Sequence, residues 1–174
     1  MKSKTVLWQL MGFALTSFFG TVLHFLYEWL GKPNWIAPFS GVNESTWEHM
    51  KLLFWPMVAF AVFQSFFFKD YENFPCVKLK GILLGLVLIP VLFYTYNGVV
   101  GKSPDWINIA IFFVAAAIAY IYEGVSLNKG TPCKNPRLAV AVLCGLALLF
   151  VVFTFATPKI RLFMDPLTGA YGIQ

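Results

Sequence analysis

Charged residues are scarce in this chain of 174 residues. They make up 12% of it, whereas soluble domains usually carry about 25%. A soluble protein cannot cover its surface with so few charges, and an aromatic content of 18% excludes an intrinsically disordered chain. Hydrophobic residues reach 59%. The composition therefore predicts an integral membrane protein, whose main partner is the lipid bilayer.

Several catalytic signatures are also missing. The sequence contains no glycine-rich phosphate loop, no G-x-S-x-G nucleophile elbow, no H-E-x-x-H metal motif and no haem-attachment motif. It has no basic patch spaced for base stacking, so the net charge of +5 does not indicate a nucleic-acid partner. These absences make an enzyme less expected without excluding one.

Five stretches without charged residues are long enough for transmembrane helices, which need about 20 apolar residues. Leu83–Phe93 and Leu146–Phe155 are apolar almost throughout, unlike the alternating strands of a barrel. The first stretch has no A-x-A-like cleavage site, so we expect a retained helix rather than a signal peptide. The predicted fold class is all-α, one membrane domain over residues 1–174 that forms a five-helix bundle. Its predicted spans are about 5–29, 46–68, 80–101, 105–124 and 137–158.

Basic residues are distributed unevenly between the two ends of this predicted bundle. With a cytoplasmic N-terminus, the inner segments hold eight Lys and Arg residues and the outer segments hold five. An excess of basic residues marks the cytoplasmic side of a membrane protein. We therefore expect a multi-pass protein of the cell membrane with its N-terminus in the cytoplasm and its C-terminus outside.

Cysteine is rare, with three residues. Cys144 lies in the middle of the fifth span, where we expect it to pack as a small apolar residue. Cys76 and Cys133 lie on the predicted inner face, in a reducing compartment, so we expect free thiols. A two-cysteine metal site is the alternative, but no C-x-x-C motif or nearby histidine supports it.

One face of the first helix carries Gly12, Thr16, Gly20, His24 and Glu28 at successive spacings of four. Residues at this spacing lie on the same side of a helix. Small residues allow helices to approach closely, and ionisable residues inside spans usually face the protein interior. We therefore expect this stripe to face the bundle.

A second polar cluster opens the second span. Ser45 and Glu48 fit a capping box, which by itself accounts for the acidic residue. Both histidines of the chain lie at this predicted outer face, together with several carboxylates and neighbouring polar side chains. The binding candidates are His24, Glu28, Asn43, Glu44, Glu48, His49, Tyr96, Asn97 and Asp105.

The cluster has several interpretations. Among the functional interpretations, the first is a pocket for a small-molecule or lipid-like ligand, in a membrane protein associated with binding or transport. The alternative is a metal-dependent membrane hydrolase or transferase, since imidazole and carboxylate groups suit Zn²⁺, Mn²⁺ or Fe²⁺. The metal ligands would then be His24, Glu28, Glu48 and His49. A hydrogen-bonded polar plug that only ties the first two helices together is the structural interpretation.

Glu123 is a secondary candidate at the inner end of the fourth span. The simplest interpretation is that its carboxylate extends to the inner surface. A cation or proton relay is the alternative, but no second acid is expected at the same depth.

Four blocks of sequence resemble a known family. They are Glu28, Lys32-Pro-Asn-Trp35, Asn43-Glu-Ser-Thr-Trp-Glu-His49-x-Lys51 and Leu162-Phe-Met-Asp-Pro-Leu-Thr-Gly-Ala-Tyr-Gly172. They are similar to blocks in a family of small five-span prokaryotic membrane proteins known only as a domain of unknown function. The resemblance implies the five-helix fold and a membrane location, and it brings no activity.

The loop Lys32-Pro33-Asn34-Trp35 and the layout of spans also resemble the translocator, or tryptophan-rich sensory protein, family. That resemblance implies tetrapyrrole or sterol binding. The chain departs from the family in the third span, where Tyr94-Thr-Tyr-Asn-Gly-Val99 stands in place of the signature W-S-x-x-F-F.

Overall fold

The computed structural model describes residues 3–101 and 104–173, without the side chain of Asp105. Over these residues the chain is all-helical, and no strand is formed. The helices are α1 (Ser3–Trp29), α2 (Thr46–Ser65), α3 (Phe74–Val100), α4 (Asp105–Lys129), α5 (Pro136–Phe155) and the 3₁₀ helix η1 (Arg161–Phe163). Each α-helix overlaps one predicted span. Helix α3 begins before its span because Pro75 lies in its first turn, where a missing N–H is harmless.

Four of the five α-helices are long and apolar enough to cross a membrane. They are α1, α4 from Trp106 onwards, α3 and α5. Helix α2 is not among these four helices. It carries Glu48, His49 and Lys51 in its first two turns, and 12 of its 20 residues are buried. The four apolar helices fit a membrane protein, and α2 forms much of its interior.

Aromatic side chains hold α5 and the C-terminal tail against α2. The ring of Trp47 lies 4.5 Å from that of Phe150 on α5 and 4.6 Å from that of Phe163 in η1. Phe150 also packs against Phe54, with ring centres 4.8 Å apart. Such pairs contribute about 0.5–1.5 kcal/mol each beyond their buried area. The segment after α5 is therefore a packed part of the fold.

The small residues of the α1 stripe, Gly12, Thr16 and Gly20, are buried against the bundle as the sequence predicts, whereas Glu28 at the end of the stripe is exposed. A Cβ atom on Gly12 would lie 2.5 Å from the rings of both Phe60 and Tyr120, so α1 approaches α2 and α4 more closely than any larger residue allows. Thr16 hydrogen-bonds the Tyr120 hydroxyl at 2.7 Å between oxygens. This close contact fixes the rotation of α1 and turns the face that carries His24 towards α2 and α4.

The bundle has two ends, which we name by their chain segments. The C-terminal face holds the 30–45 connection and residues 156–173. The N-terminal face holds the start of α1 and the connections before α3 and after α4. On the C-terminal face the tail folds back on itself, through an antiparallel bridge between Met164 and Tyr171.

A disulfide between Cys76 and Cys133 joins the first turn of α3 to the α4–α5 connection on the N-terminal face. The prediction of two free thiols is therefore wrong. It followed from the expected compartment, and it overlooked that the start of α3 and the α4–α5 connection meet, with the two Cα atoms 5.5 Å apart. Cys144 is a free cysteine, exposed on the surface of α5.

Candidate metal centre

His49 lies in the first turn of α2, at a helix start that the local sequence specifies. Ser45 is the N-cap, and its hydroxyl accepts a hydrogen bond from the backbone N–H of Glu48 at 3.4 Å. The Nδ1 atom of His49 lies 3.0 Å from the backbone oxygen of Ser45. Because a carbonyl oxygen can only accept, Nδ1 carries a proton, which leaves Nε2 as the ring atom through which the neutral imidazole could bind a metal ion. Metal-binding histidines are oriented in this way.

His24 lies one turn beyond Gly20 on the face of α1 that contacts α2 and α4. At Gly20 a Cβ atom would come within 2.5 Å of the Phe112 ring on α4. The His24 side chain is 28% exposed, and its ring centre lies 5.7 Å from that of His49. The two histidines of the chain therefore meet at the C-terminal face.

Glu44 lies between the two imidazoles, on the connection just before α2. One carboxylate oxygen is 3.6 Å from Nε2 of His24, and the other is 3.7 Å from Nε2 of His49. One ligand atom from each of the three residues lies within 4.8 Å of the other two. Ligand atoms around a tetrahedral ion with bonds of about 2.1 Å are about 3.4 Å apart. Small side-chain movements would thus close this cluster around an ion.

The cluster of His24, Glu44 and His49 offers two nitrogen ligands and one carboxylate. Three protein ligands leave a fourth position of a tetrahedral ion for water or substrate, as in catalytic zinc sites. The exposed fractions of the three side chains are 28%, 41% and 19%, so an added group could reach that position. The arrangement can support Lewis-acid chemistry or generate a metal-bound hydroxide.

In the structure, Glu48 pairs with a lysine and does not join the histidine cluster, although the sequence predicts it as a metal ligand. Its carboxylate lies 2.5 Å from Nζ of Lys51, and both side chains are almost fully buried. Lys51 also donates to the backbone oxygen of Ala37 at 2.8 Å and to the hydroxyl of Thr154 at 3.2 Å. Glu48 is therefore part of a network that joins the 30–45 connection, α2 and α5.

Glu28 and Asn43 lie beside the cluster. Glu28 is exposed one turn beyond His24, and the two residues line a cavity of about 90 Å³ together with Glu44. The amide of Asn43 donates to the backbone oxygen of Gly172 at 2.8 Å, and its oxygen accepts from the backbone N–H of Ser45 at 2.9 Å. Asn43 therefore fixes the start of α2 and anchors the tail.

The last turns of α3 carry Tyr96 and Asn97. Asn97 donates to the backbone oxygen of Phe93 at 2.8 Å and lines a neighbouring cleft of about 550 Å³ with Arg161. Tyr96 is half-buried on the same helix. The side chain of Asp105 lies outside the described residues. Tyr96 and Asn97 lie towards the C-terminal face, and among the described side chains neither belongs to the cluster that could hold a metal ion.

Glu123 does not extend to the surface, so the simplest interpretation of its sequence context is wrong. Its side chain is fully buried, and one carboxylate oxygen lies 2.6 Å from Nζ of Lys78, whose side chain is 2% exposed. Gly81 makes room for it, since a Cβ atom there would overlap Cγ of Glu123. The result is a buried ion pair between α3 and α4. The cation or proton relay stays a hypothesis.

Comparison with known proteins identifies a family. Residues 1–173 match the sequence profile of a family described as Family of unknown function (DUF6512). The chain belongs to this family. No curated protein and no solved structure shows significant similarity to it. The resemblance to a domain of unknown function is therefore confirmed, whereas the translocator resemblance stays a prediction.

In this DUF6512 chain, the sequence predicts the end of the bundle at which the polar side chains meet better than it predicts which of them form the cluster. Glu44 was recognisable as a binding candidate but not as the carboxylate between the histidines. Lys51 and Lys78 were not recognised as partners of acidic residues. The spacing of three between Glu48 and Lys51 was a usable signal, whereas no local pattern connects Lys78 with Glu123, 45 residues away.

Proposed function

We propose that the chain is a membrane protein that binds a divalent metal ion at its C-terminal face through His24, Glu44 and His49. The observation that carries this proposal is the position of Glu44 between two imidazoles, at 3.6 and 3.7 Å. The orientation of His49 by the Ser45 carbonyl gives it further support. Zn²⁺ is the preferred ion, because imidazole suits it and it binds such sites more tightly than Mn²⁺ or Fe²⁺.

Metal analysis of the purified protein tests this proposal. After dialysis against excess Zn²⁺ and removal of free ion, the protein should retain a stoichiometric amount, and Glu44→Gln and His24→Ala should lose most of it. Glu28→Gln is the matched control, because Glu28 adjoins the site without belonging to the cluster, and it should retain zinc. A polar plug would give the opposite result, in which Glu44→Gln and His24→Ala lower thermal stability and leave the metal content unchanged.

A metal-dependent hydrolase or transferase is the second candidate function. The open coordination position and the partly exposed ligands favour it, because catalytic zinc sites keep one position for water. Zinc-loaded protein should then hydrolyse an activated ester such as p-nitrophenyl octanoate, and Glu44→Gln should abolish the reaction together with bound zinc. Equal rates for the loaded protein and Glu44→Gln would reject the enzyme and leave a binding protein.

For the membrane topology we propose five spans, with the N-terminal face in the cytoplasm and the C-terminal face outside. Lys51 and Lys78 are buried in ion pairs, and without them seven basic residues remain on the inner side against four on the outer side. Helix α2 is the fifth span in this arrangement, because its length matches that of α5 and its Glu48, Lys51 and Gln64 side chains are buried.

The disulfide on the N-terminal face counts against this orientation, since stable disulfides are typical of oxidising compartments. We give the basic residues more weight because they act while the helices insert, whereas a disulfide forms afterwards. Reporter fusions after Lys69, Lys129 and Gln174 test the orientation. A cytoplasmic signal from the fusion at Gln174 would overturn it, as would an oxidised Cys76–Cys133 pair in cells whose thiols are trapped before lysis.

A further inference from the structure

A cleft of about 130 Å³ opens between α1 and α4, next to the proposed metal centre on the side towards the middle of the bundle. Two of the three ligands, His24 and His49, form one end of it, and Gly20 and Phe112 lie along it. Since a helix rises about 1.5 Å per residue, the stretch from His24 to Gly20 is about 6 Å long. The cleft thus leads from the histidines towards the middle of the bundle.

The mouth of the cleft lies on a surface that would contact lipid. Phe25, Ile109 and Phe113 line the cleft and are 42%, 58% and 36% exposed. They belong to α1 and α4, two of the helices that are apolar and long enough to span a membrane. In a bilayer such a mouth meets acyl chains rather than water.

The polar groups of the cleft are concentrated at the metal end. Thr21 and Asn108 also line the cleft. The Thr21 hydroxyl donates to the backbone oxygen of Ser17 at 2.9 Å, and Asn108 lies at the metal end, where it lines a second cavity with Glu44 and His49. The imidazoles of His24 and His49 are directed to Glu44. A ligand that enters from the bilayer would therefore meet an apolar passage first and metal ligands at its end.

The size of the cleft selects among apolar ligands. Pockets that enclose a drug-sized molecule measure about 300–1,000 Å³, while a cavity of about 150 Å³ in another protein accepts a single benzene ring. At about 130 Å³ the cleft is too small to enclose a tetrapyrrole or a sterol. A flexible chain fits, because one part of it can occupy the cleft while the rest lies along the lipid-facing surface.

From these observations we infer that the cleft binds the chain of a single-chain amphiphile, whose oxygen-bearing head group occupies the open position of the metal ion. This inference rests on the proposed metal site and names the class of ligand for it. Palmitate is a suitable probe, because its carboxylate can bind a metal ion and its chain is fully apolar. Acetate carries the same carboxylate without the chain.

The experiment first measures bound Zn²⁺, then replaces it with Co²⁺, whose visible spectrum changes when a carboxylate binds. Palmitate and acetate are titrated into the wild-type protein in one detergent at constant concentration. Ile109→Trp should fill the cleft and weaken palmitate binding at least tenfold, with acetate binding and metal content unchanged. Ile121→Trp is the control, since Ile121 is exposed on the same helix outside the cleft, and it should bind palmitate as the wild type does.

Phe113→Trp provides a second filled cleft if Ile109→Trp does not fold. Palmitate binding that is unchanged in the filled variants would overturn the inference while the metal site stands. Equal losses of palmitate and acetate binding would also overturn it, because the substitution would then act on the metal site. A wild-type protein without bound metal would reject the proposed function at the first step, before any amphiphile is added.

Discussion

The ion pair between Lys78 and Glu123 should behave as a single unit in folding. Both side chains are almost completely buried, with a nitrogen–oxygen distance of 2.6 Å. Removing one partner leaves an unpaired charge inside the protein, which typically costs about 3–5 kcal/mol. Replacing both with apolar residues of similar volume is often neutral, or stabilising by about 1–4 kcal/mol. We therefore expect Lys78→Met and Glu123→Met each to be strongly destabilising and the double variant to be close to the wild type.

Reversible unfolding in mixed detergent micelles, followed by tryptophan fluorescence, measures these free energies. A loss of about 3–5 kcal/mol corresponds to a shift of roughly two to four powers of ten in the unfolding equilibrium. If the single variants are too unstable to purify, recovery of a folded double variant gives the same answer. A double variant as unstable as the sum of the single variants would refute the reasoning, because it would show that the two charges do not stabilise each other.

Three further predictions follow from contacts on the two faces and between the helices. Gly12→Ala should lower the unfolding free energy by about 1–3 kcal/mol, because its Cβ would lie 2.5 Å from aromatic rings of α2 and α4. Gly98→Ala is the control, since a Cβ atom there meets nothing within 4 Å, and equal melting temperatures for the two variants would contradict the close packing. Cys76 and Cys133 in protein purified in air should resist alkylation until a reductant is added, and mass spectrometry should then show two additional labels; labelling without reductant would exclude the disulfide. Asn43→Ala should release the C-terminal tail, at a cost of about 1 kcal/mol for each of the two hydrogen bonds that are lost. An unchanged rate of proteolysis within the tail would show that Asn43 does not anchor it.

Properties that depend on neighbouring residues in the chain could be predicted from the sequence. The apolar stretches placed the five helices, and the spacing of Gly12, Thr16 and Gly20 identified the face of α1 that packs inwards. Ser45 was recognisable as the start of α2 because an N-cap acts on backbone groups only a few residues away. Each of these features is local, so no knowledge of the tertiary structure was needed.

The partners of the charged residues could not be predicted, because helix packing brings them together. The sequence around Glu48 fits a capping box and also a metal site. The packing of α5 and the 30–45 connection around Lys51 places Glu48 in a buried network instead. The same applies to Cys76 and Cys133, which lie 57 residues apart. Their pairing depends on the contact between the first turn of α3 and the α4–α5 connection, whereas the prediction considered only the compartment.

The pair between α3 and α4 also constrains how the protein is made. A ribosome adds about 5–20 residues per second, so the 45 residues between Lys78 and Glu123 take about 2–9 seconds to synthesise. During this interval the ammonium group of Lys78 has no carboxylate partner, so its free energy is lowest in the water at the membrane surface. Helix α3 would then reach its final depth only when α4 arrives, which makes these two helices one unit of insertion.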